Sequence, residues 1–132
     1  MKNHNCATAN FLIVGAMKAG TSSLANVLDQ HPKIFIPKNE LHFFNRDENY
    51  KKGYDFYNEN FNKNFLNGEK TPSYSYQENC AERIYKYNKN LKLIWILRNP
   101  INRAISNYYH AFNKNKESLS MLNAYLKQNE RM

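Results

Sequence analysis

The residue types most suited to chemistry occur first in a glycine-bounded turn near the amino terminus. Gly15 and Gly20 enclose the turn, Lys18 lies inside it, and three hydroxyl side chains follow it, those of Thr21, Ser22 and Ser23. The apolar run Phe-Leu-Ile-Val at residues 11–14 precedes the turn and predicts a buried strand. Strand, turn and helix N-terminus together would cradle an anion, because backbone N–H groups point into such a turn and the helix dipole adds positive potential.

The turn differs at one position from the nucleotide-binding pattern G-x-x-x-x-G-K-[ST]. Gly15 and Gly20 have the required spacing, but Thr21 stands where that pattern has its lysine. The lysine of this chain, Lys18, lies within the turn instead. The turn is therefore predicted to bind an anion other than the β- and γ-phosphates of ATP.

A second group of polar side chains follows a second apolar run. The run Leu-Lys-Leu-Ile-Trp-Ile-Leu at residues 91–97 predicts a strand buried on both faces, and Arg98 comes directly after it. Pro100 favours the first position of a new helix, on which Ser106 and His110 are four residues apart and share a face. Open parallel sheets bind ligands at the carboxyl ends of their strands. A ligand with two separate phosphates would span the two strand ends.

Alternating strands and helices must position these groups. We expect strands at 11–14, 33–36 and 91–97, with helices at 21–30, from a capping box Ser75-x-x-Glu78 to residue 87, and from Pro100. Residues 39–67 are expected to form loops with helical turns at 41–44 and 54–60, and Ser118 would cap a last helix ending near 128. The inward faces would carry Cys80, Ala81, Ile84, Tyr85, Ile101, Ala104, Ile105, Tyr108 and Phe112. This order predicts an α/β fold with a parallel sheet and right-handed crossovers.

Composition indicates one folded domain with anionic partners. The chain has 132 residues, 42% hydrophobic and 14% aromatic, with a net charge of +8. It has no dense Lys/Arg run, which argues against nucleic acid. Its two cysteines, Cys6 and Cys80, are too few for a disulfide framework and lack metal-ligand spacing. Residues 1–10 are predicted to be loose and lack the apolar core of a signal peptide, and no stretch reaches membrane-span length. We expect a soluble, cytoplasmic chain without a metal.

Four motifs in order resemble the sulfotransferase family that uses 3′-phosphoadenosine 5′-phosphosulfate (PAPS). Lys-Ala-Gly-Thr-Ser at 18–22 resembles its 5′-phosphosulfate loop, and the Leu-Arg-Asn-Pro-x-x-Arg-Ala-x-Ser segment at 97–106 resembles its 3′-phosphate motif. Asn-Glu-Leu-His-Phe-Phe at 39–44 and Glu-Lys-Thr-Pro-Ser-Tyr at 69–74 are similar to the heparan sulfate N- and 3-O-sulfotransferase branch. The resemblance implies a P-loop-like three-layer fold, PAPS as sulfuryl donor, a carbohydrate acceptor and no metal.

The resemblance also implies residue roles. Lys18 would hold the sulfonate and the bridging oxygen, Glu40 would be the catalytic base, and Lys70 would balance charge near the sulfonate. His110 corresponds to an active-site histidine of the N-sulfotransferase type, whereas His42, between aromatic residues, is interpreted as packing. The nucleotide-binding set would be Lys18, Ala19, Gly20, Thr21, Ser22 and Ser23 for the 5′ end, and Arg98 and Ser106 for the 3′-phosphate. Two lysines, backbone amides and one carboxylate base would supply the positioning and charge neutralisation that sulfuryl transfer needs.

Two other functions stay open at this point. An ATP-dependent small-molecule kinase would need Mg²⁺ and a Gly-Lys-[Ser/Thr] sequence, and an aspartate rather than Arg98 after the 91–97 strand. A non-catalytic module for an anionic polymer would rest only on charge and aromatic content. Domains of the resembled family are nearly twice as long, so residues 11–132 are expected to be a domain truncated at its C-terminal side, and inactive as an isolated fragment.

Overall fold

A computed structural model of the protein describes residues 7–128. Its strands are β1 (Phe11–Gly15), β2 (Ile34–Phe35), β3 (Leu66–Lys70) and β4 (Lys92–Trp95). Its helices are α1 (Thr21–Asp29), α2 (Asp47–Tyr50), α3 (Gly53–Asn58), α4 (Cys80–Tyr87), α5 (Pro100–Asn113) and α6 (Met121–Leu126), and Pro72–Ser75 forms a 3₁₀ turn. The chain divides into a first compact unit that ends at Leu97 and a second that begins at Arg98.

The first unit is built on a four-stranded parallel sheet in the order β2-β3-β1-β4. Phe11 in β1 lies opposite Gly68 in β3 and Lys92 in β4. Parallel neighbours require crossover connections, and helices supply them here. The parallel α/β fold predicted from the sequence is therefore confirmed.

β1 is buried along its whole length because it is an inner strand. Its side chains alternate between two cores. Leu12 and Val14 face an aromatic core in which the rings of Phe43 and Tyr57 stack at 4.4 Å between centroids. The opposite face carries a smaller aliphatic core with residues of β1, α1 and β4, comprising Phe11, Ile13, Ala25 and Ile36, with Leu24, Leu28, Ile34 and Ile94 packed against it. Each fully buried large side chain stabilises the fold by about 1.5–3 kcal/mol.

β3 was not predicted; it begins at the end of the segment 39–67, for which loops with short helical turns were expected. Its sequence Leu-Asn-Gly-Glu-Lys does not have the apolar pattern of a buried strand. The inward residues Asn67 and Glu69 are polar, yet both are buried. The Asn67 amide donates to the carbonyls of Thr8 and Asn62. Gly68 allows the Phe11 ring to lie against the strand, since an added Cβ would come within 2.2 Å of that ring. Hydrogen bonding and a missing side chain replace the apolar pattern that usually marks a strand.

The capping box predicted at Ser75-x-x-Glu78 is wrong. Ser75 belongs to the 3₁₀ turn, where its hydroxyl donates to the Pro72 carbonyl, and α4 begins at Cys80 after a left-handed Asn79. Cys80 and Ile84 are buried as expected. Ala81 and Tyr85, predicted to face inward, are exposed because this eight-residue helix meets the core along one narrow stripe. The expected helical turn at 41–44 is also not helical; a turn covers 43–45.

β4 is not buried on both faces as predicted. Leu93 and Trp95 are 54% and 56% exposed, because within residues 7–128 β4 is the outer strand of the sheet and pairs with β1 alone. Ile94, on the opposite face, packs on the aliphatic core. Among residues 7–128 no helix is both long and apolar enough to cross a membrane. Cytoplasmic location stays a prediction.

The second unit contains α5 and α6. α5 begins at Pro100 as predicted, but none of its residues is buried, and Ile101 and Phe112 are 69% and 49% exposed. Apolar spacing indicates which face could be buried, but burial also needs an opposing surface. Within the unit, the Tyr108 hydroxyl donates to the Leu119 carbonyl. α6 follows Ser120 rather than Ser118 and ends at Leu126.

Part of the segment predicted to be loose is held by hydrogen bonds. Asn10 donates its N–H to the Asn67 carbonyl and accepts the Asn67 N–H on its side chain. Ala9 is buried, and its N–H donates to the Tyr87 hydroxyl. Residues 1–6, including Cys6, lie outside the described residues.

Candidate active site

The loop after β1 has the backbone shape expected of an anion cradle. Gly15, Lys18 and Gly20 have φ values of 155°, 65° and 102°, and α1 begins directly after Gly20. A Cβ at Gly15 would come within 2.6 Å of the Ser75 hydroxyl, so the close approach of these segments requires glycine. Gly20 places no side-chain cap on α1, and the first turn of the helix carries no acidic residue. The first N–H groups of α1 are thus suited to an anionic ligand.

Glu40 and Lys70 are in direct contact beside this loop. The Lys70 amine lies 2.8 Å from Glu40 Oε1 and 3.4 Å from the Ser22 hydroxyl in the first turn of α1. The Lys70 side chain is 12% exposed and the Glu40 side chain 34% exposed. Lys70 is the last residue of β3, so its side chain lies at the carboxyl end of the sheet. The structure therefore brings together two predicted catalytic residues and one predicted nucleotide-binding residue.

His42 joins this group, although the sequence analysis interpreted it as packing. Its Nε2 lies 3.5 Å from Glu40 Oε2, and its Nδ1 lies 3.3 Å from the Asn45 side-chain nitrogen, which also donates to the Ser73 hydroxyl. With Nδ1 accepting from Asn45, the N–H of the neutral ring lies on Nε2, the nitrogen that faces Glu40. The signal for His42 was its position two residues after Glu40, a spacing that can place two side chains on one side of an irregular segment.

The segment that carries Glu40 and His42 is anchored along its backbone. His42 has a φ of 50°, a left-handed conformation that costs about 1 kcal/mol for a residue with a side chain. The Asn49 amide donates to the Leu41 and His42 carbonyls, each at 3.2 Å. The Phe43 N–H donates to the Tyr74 hydroxyl at 2.9 Å. These bonds fix a loop without regular secondary structure.

A small groove of about 150 Å³ opens beside Lys70. Its walls come from α1 and the segment after β2, with Ser22, Ala25, Asn26, Asp29, Ile36, Pro37, Lys38 and Lys70 as lining residues. Asp29 accepts the Ile36 N–H at 2.9 Å and so joins the two walls. The groove has both polar and apolar lining residues, and Lys70 of the Glu40–Lys70 pair is one of them.

The predicted 3′-phosphate residues lie in the second unit. Arg98 lies two residues before α5, and Ser106 and His110 are half-buried residues one turn apart within that helix. The side chain of Asn99 caps the helix by accepting the N–H groups of Ile101 and Asn102. Joint action of Arg98, Ser106 and His110 with the 18–23 loop stays a prediction. Within residues 7–128, no group of three or more His, Cys, Asp or Glu side chains could hold a metal ion.

Comparisons with known proteins agree on one family. Residues 8–131 match the family model described as the sulfotransferase domain. Heparan sulfate glucosamine 3-O-sulfotransferase 5 of Mus musculus is 41% identical over 100 residues, which are 74% of this chain and 29% of that protein. Membrane-associated sulfotransferase kil1 of Dictyostelium discoideum is 37% identical over 107 residues, 76% of this chain and 22% of that protein. The chain thus spans less than a third of the length of these curated relatives.

A solved structure agrees with the family match. The sulfotransferase from Alicyclobacillus acidocaldarius superposes with a TM-score of 0.81 at 35% identity, over 95% of this chain and 58% of that one. The P-loop-like α/β fold predicted from the sequence is therefore confirmed.

Proposed function

The chain belongs to the sulfotransferase family, and from this premise we propose that it transfers a sulfuryl group from PAPS to a saccharide hydroxyl or amine. The observation that carries the proposal is the contact between Glu40 and Lys70 at the carboxyl end of β3, next to an anion-binding loop. Group transfer to a hydroxyl requires a base to take the proton, and a cation and an anion-binding loop to stabilise negative charge. The family match favours this function over the kinase and the polymer-binding module.

Each residue of the pair has a defined part in the proposed reaction. Glu40 accepts the proton that the acceptor hydroxyl or amine loses as its oxygen or nitrogen bonds to sulfur. The bond between sulfur and the bridging phosphate oxygen breaks, and Lys18 and Lys70 neutralise the charge on the sulfonate and that oxygen. Lys70 can contact Glu40, Ser22 and a sulfonate together because its ammonium group has three donors.

His42 orients the base in this proposal. Its Nε2 faces the Glu40 oxygen that does not contact Lys70. The carboxylate is thereby held from two sides, which limits its rotation. A base that is held in a fixed orientation accepts a proton faster than one that rotates freely.

The groove beside Lys70 supports a saccharide acceptor. Its polar side chains, including Asn26, Asp29 and Lys38, offer hydrogen bonds to hydroxyl groups. The net charge of +8 favours an acceptor that carries sulfate or carboxylate groups. Relatives named as heparan sulfate glucosamine 3-O-sulfotransferases point to the same acceptor class.

Calorimetry with the reaction product 3′-phosphoadenosine 5′-phosphate (PAP) tests the nucleotide part of the proposal. PAP should bind at least about tenfold more tightly than AMP, because Arg98 and Ser106 would contact the 3′-phosphate. PAP should also bind better than ATP, with or without Mg²⁺. Lys18→Ala should weaken PAPS binding by about 1.5–3 kcal/mol, the usual value of a charge-assisted contact. Equal affinity for PAP and AMP would remove the role proposed for Arg98.

A further inference from the structure

A fully buried carboxylate, that of Glu69, lies directly beneath the segment that carries Glu40. Glu69 precedes Lys70 in β3 and is 0% exposed. Glu69 Oε2 accepts the Tyr57 hydroxyl at 2.8 Å, and Oε1 accepts the hydroxyls of Thr71 and Tyr74. No step of the proposed reaction uses this carboxylate.

One hydrogen-bond route connects Glu69 to the segment from Glu40 to Phe44. The Tyr74 hydroxyl donates to Glu69 Oε1 and accepts the Phe43 N–H at 2.9 Å. Phe43 directly follows His42, so this route fixes the backbone next to the residues that carry the Glu40–His42 contact. Tyr57 differs from Tyr74, because its hydroxyl bonds to Glu69 and not to this segment.

We infer that Glu69 is a positioning residue, which acts through the Tyr74 hydroxyl to fix the backbone directly after His42 and so sets Glu40 against Lys70. The inference rests on the proposed function for its catalytic consequence, although the anchoring itself is a property of the structure. A buried acid is expensive for a core, and apolar residues would pack there at lower cost. The carboxylate offsets this cost because it accepts hydrogen bonds from several donors at one point. Three hydroxyl groups are those donors. Burial raises the pKa of Glu69 above its usual range.

Two matched substitutions test the inference on the whole chain. Tyr74→Phe and Tyr57→Phe each remove one phenolic hydroxyl that donates to Glu69, but only Tyr74→Phe cuts the route to the loop. Amide hydrogen exchange by NMR should show the protection of the Phe43 N–H falling at least about tenfold in Tyr74→Phe and staying within about twofold in Tyr57→Phe. Amides of β1 serve as the reference for global stability. Glu69→Gln should also lower the protection of the Phe43 N–H.

Activity measurements distinguish a positioning role from general stabilisation of the core. Tyr74→Phe should lower kcat for saccharide sulfation about tenfold without changing the PAP dissociation constant, whereas Tyr57→Phe should change neither beyond about twofold. Equal effects of the two tyrosine variants on exchange or on kcat would overturn the inference, as would unchanged Phe43 protection in Tyr74→Phe. Should Glu69→Gln not fold, the tyrosine pair alone decides. A full-length version of the protein without transfer activity would contradict the proposed function, while the exchange data would still decide whether Glu69 anchors the loop.

Discussion

Glu40 has an environment that suits a base better than an ordinary surface acid. One of its oxygens contacts Lys70 and the other faces His42, so two cationic or proton-bearing groups fix its orientation. About a third of its side chain is exposed, which leaves it accessible to an acceptor. The lysine contact also means that loss of the Glu40 charge would leave the ammonium group poorly balanced.

In a full-length version of the protein, Glu40→Gln should abolish sulfuryl transfer and leave PAP binding intact. Glutamine keeps the size of the side chain but cannot take a proton, so only the acceptor half of the reaction fails. Transfer rates and PAP calorimetry measure the two halves separately. Glu48→Gln, a nearby surface change, should keep full activity, and His110→Ala should reduce the rate only partially. Retained activity in Glu40→Gln with loss in His110→Ala would make His110 the base.

At the same scale, the sequence located some site residues and missed others for a physical reason. Glu40 and Lys70 belong to short motifs whose residue types carry charge, and the structure brings the two side chains together. His42 was missed because aromatic neighbours favoured packing, and its Glu40 contact depends on a left-handed backbone. The structural role of Glu69 was missed because a carboxylate in sequence gives no sign of complete burial.

At the scale of elements, prediction succeeded where the local sequence determines the structure, and it failed where contacts with distant parts of the chain determine it. Pro100 fixed the start of α5, and the apolar run at residues 11–14 marked β1. β3 was missed because its buried side chains are polar and satisfied by distant groups such as Thr8 and Tyr57. The burial of β4 was overestimated because its own sequence does not reveal the strand order, which makes it an outer strand.

Asn99→Ala should destabilise α5 by about 1 kcal/mol, because the Asn99 side chain accepts two N–H groups that the helix itself leaves without partners. Hydrogen exchange of the α5 amides measures this local stability. Ser120→Ala is the matched control, since Ser120 occupies the same position before α6 but makes no side-chain cap. An equal loss in both variants would mean that the substitutions act through something other than capping.

At the scale of the whole molecule, composition predicts an anionic partner, a class of ligand that the α/β fold alone does not indicate. The excess of 19 Lys and Arg over 11 Asp and Glu is dispersed along the chain, with no dense basic run. Part of this positive charge lies at the candidate site, where Lys38 and Lys70 line one groove and Lys18 belongs to the anion-binding loop. Charge therefore indicated an anionic ligand, while only the folded chain shows which lysine approaches which acid.

The net charge of +8 predicts that PAP binding weakens strongly with salt. The screening length falls from about 10 Å at 0.1 M to about 3 Å at 1 M, so lysines that do not contact the nucleotide stop contributing. The PAP dissociation constant should rise at least about tenfold over this range, because several phosphate charges interact with the whole basic surface. Adenosine, which lacks phosphate, is the control and should bind with nearly constant affinity. Calorimetry at four salt concentrations gives the slope. An affinity for PAP that is independent of salt would show that only buried, short-range contacts hold the nucleotide, and that the overall charge serves another purpose.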